Sequence, residues 1–320
     1  MYKFKTVKCD NSMNFQALAN KFSLLLKGYH QVSNVCNLPS ISEKDSISIQ
    51  EWINRLTQPE FSVAFIGTFN AGKSTIINAL TGRLILVDAG KVTTAKTTTL
   101  KKLKEGDEFI RIVDKNGNRL VPDASISEIT RYTTHFGDKN LLNQVHHVEI
   151  YLSGLPLDED IVLVDTPGVG TTQKDDKEIT MEYLKKAHLC VFCFAADNIG
   201  TDNQADLTTS LNDTKAIAKD DIFWVINKWF QQNPKQQTEN KAAFDDLLRL
   251  KNIIPEKLYT ISAGTYLAKK LKNTTKNLND YENKFVENMI LLPNPPESDH
   301  EFEKFQKEIF EFINIKAKGH

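Results

Sequence analysis

The sequence predicts an α/β fold, a doubly wound and mostly parallel sheet, with a helical bundle formed by N- and C-terminal helices. Two observations carry this prediction. Short apolar runs alternate with helical patterns from Phe61 onward, and a glycine-rich phosphate-binding motif follows the first run. We divide the chain into N-terminal helices at 1–58, a sheet domain at 59–265 and C-terminal helices at 266–320.

The composition excludes several classes of protein. The chain has 320 residues, of which 40% are hydrophobic and 25% charged, enough for about two domains. With 40 Lys+Arg against 41 Asp+Glu it has no global positive field, so we expect no nucleic-acid partner. The longest apolar run, 189–196, is too short to cross a bilayer, and the N-terminus lacks a secretory signal. We therefore expect a cytoplasmic protein.

Five apolar runs predict the strands of the parallel sheet. They lie at 62–67, 160–165, 189–196, 221–227 and 258–262. Between the first two runs, Asn116-Gly117 predicts a hairpin turn, and apolar residues alternate with polar ones at 147–152. We expect these segments to add antiparallel strands. Cys190 and Cys193 fall inside an apolar run and are interpreted as buried strand residues.

Both ends of the chain predict amphipathic helices. Near the N-terminus, apolar side chains from Phe15 to Tyr29 recur at helical spacing, and a second helix stops at Pro59. The last helix carries Phe302, Phe305 and Ile309 on one face. Because each helix needs an apolar partner, we expect the two ends to pack together beside the sheet.

A phosphate-binding loop lies between the first strand and the helix that follows it. Residues 67–74, GTFNAGKS, match G-x-x-x-x-G-K-[ST] in the required strand-to-helix context. Backbone N–H groups of such a loop surround phosphate oxygens, and the helix N-terminus adds its positive dipole end. Lys73 would reach the β and γ phosphates, and Ser74 would bind magnesium. The residues expected around the phosphates are Gly67, Phe69, Asn70, Ala71, Gly72, Lys73, Ser74 and Thr75.

A second motif, DTPG, follows the strand that ends at Asp165. A carboxylate at the C-terminal end of a strand can hold the water shell of a magnesium ion. The backbone N–H of Gly168 could bond the γ phosphate and so sense its presence. DTPG is weak evidence alone but strong evidence after a phosphate loop.

Two later strands end in polar residues where a nucleotide base would lie, at Asn227-Lys228 and at Ser262-Ala263.

The segments GTFNAGKST, VTTAKTTT, DTPG, NKW and ISA follow the order of the five motifs of a GTPase. The phrase GTFNAGKSTIINAL resembles the dynamin superfamily, in particular bacterial dynamin-like proteins and mitofusins. The resemblance covers about residues 60–265.

The resemblance implies a P-loop GTPase domain that binds GTP and Mg²⁺ and releases GDP and phosphate. It makes Thr94 the switch I threonine on magnesium, beside Ser74 and Asp165, with Thr93 as the alternative. Asn227 would bond the base, and Lys228 would pack against it. The remaining base-side positions implied by the resemblance are Trp229, Ser262 and Ala263.

The chain departs from the family pattern at two positions. Phe230 stands where the family has the aspartate that reads guanine, which favours a hypothesis of relaxed base specificity. Phe69 stands where eukaryotic dynamins have a glutamine that orients water. Asn70 matches the asparagine that helps to hold potassium in cation-stimulated GTPases, so K⁺ is a candidate cofactor.

The resemblance also implies partners. It predicts dimerisation of two GTPase domains, or a heteromer with another dynamin-like chain, and contact with a membrane at its periphery. The segment after Ala263 is too short for the family's helical stalk, so the chain is either a piece of a longer protein or a minimal form. The alternatives are a nucleotide-dependent switch with little turnover and, less favoured, a generic P-loop ATPase or translation-type GTPase.

Overall fold

The structure is a computed structural model, and its described residues cover the sheet domain and most of the helices at both ends. The described residues are 15–36, 39, 41–42, 45–46, 49–50, 53, 60–68, 70–86, 96–133, 139–168, 180, 182–184, 186–199, 221–274, 278–290 and 300–317. Among the helices in these ranges, none has the length and apolar character that a bilayer crossing requires.

The described part of the chain includes eight strands, eight α-helices with defined bounds, and short 3₁₀ helices at Ile126–Glu128, Ala196–Asn198 and Trp229–Gln231. The strands are β1 Phe61–Gly67, β2 Thr97–Lys102, β3 Phe109–Val113, β4 His147–Leu152, β5 Ile161–Asp165, β6 Leu189–Ala195, β7 Ile222–Asn227 and β8 Leu258–Thr260. The helices are α1 Phe15–Cys36, α2 Lys73–Thr81, α3 Ile129–Thr133, α4 Lys139–Gln144, α5 Pro234–Leu250, α6 Ala263–Lys272, α7 Asp280–Ile290 and α8 His300–Ala317.

The strands form one sheet in the order β3-β4-β2-β5-β1-β6-β7-β8. The five strands from β5 to β8 in this order are parallel, as the sequence predicts. Strand β2 is antiparallel to β5 and parallel to β4, while β3 is antiparallel to β4. The expectation that the added strands are antiparallel is therefore correct for β3 and wrong for the pairing of β4 with β2.

Both faces of the central sheet are covered, which explains why its strands are continuous apolar runs. Every residue of β5, β6 and β7 is buried. One face contributes Phe65 to a core that includes side chains of α2 and α8. The other face contributes Phe192 and Trp224, which pack with Phe244 of α5. The sheet is thus the middle layer of the domain.

Helix α8 packs directly on the sheet domain through the apolar face that the sequence identified. Phe305 is fully buried, with its ring centroid 5.3 Å from that of Tyr259 and 6.3 Å from that of Phe223. Gln306 Nε2 donates a hydrogen bond of 3.1 Å to the carbonyl of Leu80, near the end of α2. The packing of the terminal helices on each other, and the domain boundaries drawn from it, stay predictions.

Replacing Phe305 with alanine tests whether α8 belongs to the core of the sheet domain. We expect Phe305→Ala to lower the free energy of unfolding by about 3 to 5 kcal/mol, because a buried aromatic side chain leaves a cavity. Ile315→Ala on the same helix is the control, since Ile315 is 72% exposed and should change the value by less than about 0.5 kcal/mol. Urea denaturation measures both, and equal values for the two variants would contradict the packing.

Candidate functional site

The phosphate loop curls between the end of β1 and the start of α2. Asn70 and Gly72 have positive φ angles of 61° and 80°, and Ala71 N donates to the Thr68 carbonyl at 3.2 Å. A Cβ atom on Gly72 would stand 2.3 Å from Nδ2 of Asn227. Glycine is therefore required at 72 for two reasons, its left-handed backbone and the close approach of a buried side chain.

The Lys73 side chain lies against the loop that precedes it. Its Nζ donates hydrogen bonds to the carbonyls of Gly67 and Thr68, both at 3.2 Å, and the residue is only 7% exposed. These contacts hold the lysine side chain at the loop, where an ammonium group attracts an anionic ligand. Together with the N-terminus of α2, this arrangement suits a phosphate group.

Ser74 and Asp165 meet at the carboxyl edge of the sheet. Ser74 Oγ donates to Asp165 Oδ2 at 2.6 Å, and Asp165, the last residue of β5, is 1% exposed. The next residue, Thr166, donates from Oγ1 to the Phe65 carbonyl at 2.7 Å and fixes the end of the strand. A hydroxyl and a carboxylate side by side are the hard oxygen donors that magnesium prefers, so the residues present fit that ion.

Asn227 joins the phosphate loop to the loop after β8. Its Nδ2 donates to the Ala71 carbonyl at 3.2 Å, and its Oδ1 accepts from the backbone N–H of Ala263 at 3.1 Å. The residue is 2% exposed. The resemblance implies that Asn227 bonds the base, and that role stays a prediction. The bond to the phosphate loop has no signal in the sequence, because the two segments are far apart along the chain.

The base-side residues form a second connected group. Lys228 has a φ of 61°, and its Nζ lies 3.4 Å from Oδ2 of Asp197. Trp229 N donates to the Ile261 carbonyl at 3.0 Å, and Phe230 N donates to Ser262 Oγ at 2.9 Å. The segment after β7 is thereby held against the start of α6.

The structure places most of the predicted site residues at one edge of the sheet. Gly168 follows Asp165 there, and Thr75 lies in the first turn of α2 with 7% exposure. Phe69, Thr93 and Thr94 lie outside the described residues. Beneath the loop, burial raises the pKa of the Cys193 thiol to about 12, so the protonated thiol predominates at neutral pH.

Comparison with known proteins identifies the family. The model of the Dynamin family matches residues 63–229, more than half of the chain. The chain belongs to the dynamin family. The match begins in β1 and ends at Trp229, so it contains the phosphate loop, Asp165 and Asn227.

Relatives of this dynamin-family chain share modest identity with it. This chain is 26% identical over 285 residues to dynamin-like protein 2 of Campylobacter jejuni. The match covers 79% of this chain and 45% of that protein. The chain is also 26% identical over 277 residues to a probable transmembrane GTPase, FZO-like and chloroplastic, of Arabidopsis thaliana, covering 83% of this chain and 26% of the relative.

A solved structure shares the fold of this dynamin-family chain. It is an oligomerised bacterial dynamin pair, described as a mechanism for long-range sensing and tethering of membranes. The TM-score is 0.52 at 17% identity, over 98% of this chain and 48% of that one. This chain therefore spans less than half the length of each of these three proteins.

Asn227→Ala tests the link between the two loops of the dynamin-family domain. We expect the free energy of unfolding to fall by roughly 1 to 3 kcal/mol for each of the two buried backbone groups that lose their partner. The effect should appear in nucleotide-free protein, measured by urea denaturation. Asn143→Ala makes the same change at an exposed position of α4 and should have an effect below about 0.5 kcal/mol. If Asn227→Ala is as stable as the wild type, the link is wrong.

Proposed function

We propose that this dynamin-family chain binds GTP with Mg²⁺ and hydrolyses it to GDP and phosphate. The observation that carries the proposal is the contact of Ser74 Oγ with Asp165 Oδ2 at 2.6 Å, beside the buried ammonium of Lys73. This contact supports the proposal, because a triphosphate needs a cationic side chain and its metal ion needs oxygen ligands, and the described residues bring both kinds of group to one edge of the sheet.

The phosphates would lie over the loop at residues 67–74. Its backbone N–H groups and the first turn of α2 would bind phosphate oxygens, and Lys73 would neutralise the charge of the β and γ phosphates. The Gly168 N–H would bond the γ phosphate only when that phosphate is present. The segment after β5 that carries Gly168 would then differ between the GTP and GDP states, which is how a nucleotide switch operates.

Ser74, Asp165 and Thr94 are the residues that would hold magnesium, with Thr93 as the alternative to Thr94. The ion supplies neutralisation of the charge that develops on the phosphate oxygens. Asp165 is fixed for this task because β5 pairs with β1 and β2 on either side of it. A carboxylate fixed in this way would hold the magnesium ion at a constant distance from the phosphate loop.

Water would attack the γ phosphate in line with the bond that breaks. Phe69 offers no polar side chain to orient that water, so charge stabilisation must come from other groups. We propose that the exposed Asn70, which adopts a left-handed conformation in the phosphate loop, takes part in binding K⁺ beside the bound phosphates. A cation at this position would neutralise charge in the transition state.

We further propose that two such domains dimerise across their nucleotides or pair with another dynamin-like chain, and that this assembly acts at the periphery of a membrane. The support is the relatives: one solved neighbour is an oligomerised bacterial dynamin pair that tethers membranes. Family membership favours the same use of the nucleotide state here.

A second candidate function is a nucleotide-dependent switch with little turnover. Phe69 favours it, because an aromatic side chain cannot position water by hydrogen bonding. The two candidates share the binding site and differ only in whether phosphate is released.

Phosphate release from GTP in Mg²⁺ decides between the two candidates. We expect specific activity to rise with protein concentration, because the proposed pairing of two domains would then be more frequent. Lys73→Ala should lower it by roughly 100-fold or more, since a charge-stabilising group is lost. Activity equal in Lys73→Ala and wild type would contradict the assignment. Nucleotide binding without release would favour the switch.

Exchange of the monovalent cation tests the role of Asn70. We expect turnover in KCl to exceed turnover in NaCl at equal ionic strength, and Asn70→Ala to remove the difference while GDP affinity stays within about threefold. Asn252→Ala, at an exposed position with the same left-handed backbone (φ 52°), is the matched control. Equal rates in the two salts would exclude the potassium site.

A further inference from the structure

The peptide unit between Pro167 and Gly168 is held by a residue that lies outside the sequence motifs of the site. Thr180 Oγ1 donates a hydrogen bond of 3.1 Å to the carbonyl of Pro167. Thr180 has no exposed surface, and Pro167 and Gly168 are buried as well. A buried hydroxyl that pairs with a buried carbonyl satisfies both groups and fixes the position of one relative to the other.

The bond from Thr180 also fixes the N–H of Gly168, because the Pro167 carbonyl and the Gly168 N–H belong to one planar peptide unit. The peptide units of the described residues are trans, and in a trans unit the C=O and N–H bonds point in opposite directions. The Gly168 N–H is therefore directed away from Thr180. Within the described ranges, no group accepts a hydrogen bond from this N–H, so it is available to a ligand.

The residues before Gly168 restrict the same peptide unit. Thr166 Oγ1 donates to the Phe65 carbonyl at 2.7 Å, which ties the residue before Pro167 to β1. The pyrrolidine ring fixes the φ angle of Pro167 at about −65°. The ψ angle of Pro167 then sets the direction of the peptide unit, and the hydrogen bond from Thr180 restrains that angle.

The segment that carries Thr180 is attached to the core of the domain. Thr180 has helical backbone conformation, as do residues 182–184. Leu184 is fully buried in the core cluster that contains Phe192 and Trp224, and Tyr183 packs against the same cluster. The hydroxyl of Thr180 therefore projects from a segment whose position is set by packing on the sheet.

We propose that Thr180 is a positioning residue for the γ phosphate, because its hydroxyl orients the Gly168 N–H that donates to a γ-phosphate oxygen. The proposal rests on the proposed nucleotide function, in which Gly168 bonds the γ phosphate. Thr180 acts only through the peptide unit of Pro167 and Gly168 and contacts no nucleotide itself. Since GDP has no γ phosphate, the contribution of Thr180 is specific to the triphosphate.

Binding of GDP and of a non-hydrolysable GTP analogue, guanosine 5′-(β,γ-imido)triphosphate, in Mg²⁺ tests the proposal. Thr180→Val nearly preserves the shape of the side chain and removes the hydroxyl, so the Gly168 N–H loses its restraint. We expect affinity for the analogue to fall by at least about tenfold, as for a lost hydrogen bond to a charged group, while affinity for GDP stays within about threefold. The kcat for GTP should fall as well.

Two further variants separate orientation of the peptide unit from general stability. Thr180→Ser restores the hydroxyl and should bring affinity for the analogue back to within about threefold of the wild type. Thr238→Val is the matched control, because the exposed Thr238 of α5 also donates to a proline carbonyl, that of Pro234, at 3.0 Å. It should leave both affinities unchanged. If Thr180→Val does not fold in a urea denaturation assay, Thr180→Ala, which also lacks the hydroxyl, replaces it.

The outcomes distinguish this proposal from the proposed function. Equal losses of affinity for GDP and the analogue, or no loss for the analogue, would overturn the role of Thr180 while nucleotide binding stands. Failure of Thr180→Ser to restore affinity would also overturn it, because the shape of the side chain and not its hydroxyl would then be responsible. If the wild type binds neither nucleotide, the proposed function itself is wrong.

Discussion

The candidate site depends on the hydrogen bonds of one buried amide, that of Asn227. One end bonds the carbonyl of Ala71 in the phosphate loop, and the other bonds the N–H of Ala263 at the start of α6. These segments come from three distant parts of the chain. Because the amide is buried, an unmade bond on either side would cost free energy, so both loops are held in one arrangement. This contact requires glycine at position 72, because a Cβ atom there would collide with the side-chain amide of Asn227.

The same arrangement extends to the C-terminal helices. Helix α2 begins at Lys73, and the carbonyl of Leu80 near its other end accepts a hydrogen bond from Gln306 of α8. Helix α6 begins at Ala263 beside Asn227, and its Tyr266 ring stacks on Phe302 of α8 at 4.2 Å between centroids. Both helices that start at the site are therefore packed against α8. A movement of α8 relative to the sheet would act on the phosphate loop and the base-side loop together.

Local patterns made part of this structure predictable. The buried strands β1, β5, β6 and β7 are apolar runs because both sheet faces are covered, and the phosphate loop has a fixed spacing of glycines and Lys73. Strand β2 was not predicted, because its sequence TTTLKK contains one apolar residue and its pairing with β4 and β5 is a tertiary contact. The contacts of Asn227 were unpredictable for the same reason. The packing of α8 on the sheet could not be predicted either, because an amphipathic pattern shows which face of a helix is buried and not which element covers that face.

Hydrogen exchange in the nucleotide-free protein tests most directly whether the site is assembled around Asn227 before any ligand binds. The account predicts slow exchange at the amides of Ala263, Trp229 and Phe230, each of which donates to a group within the site. Protection should change little when GDP and Mg²⁺ are added. Fast exchange at these amides without nucleotide, followed by protection only on binding, would contradict a preassembled site and would mean that the ligand itself orders the two loops.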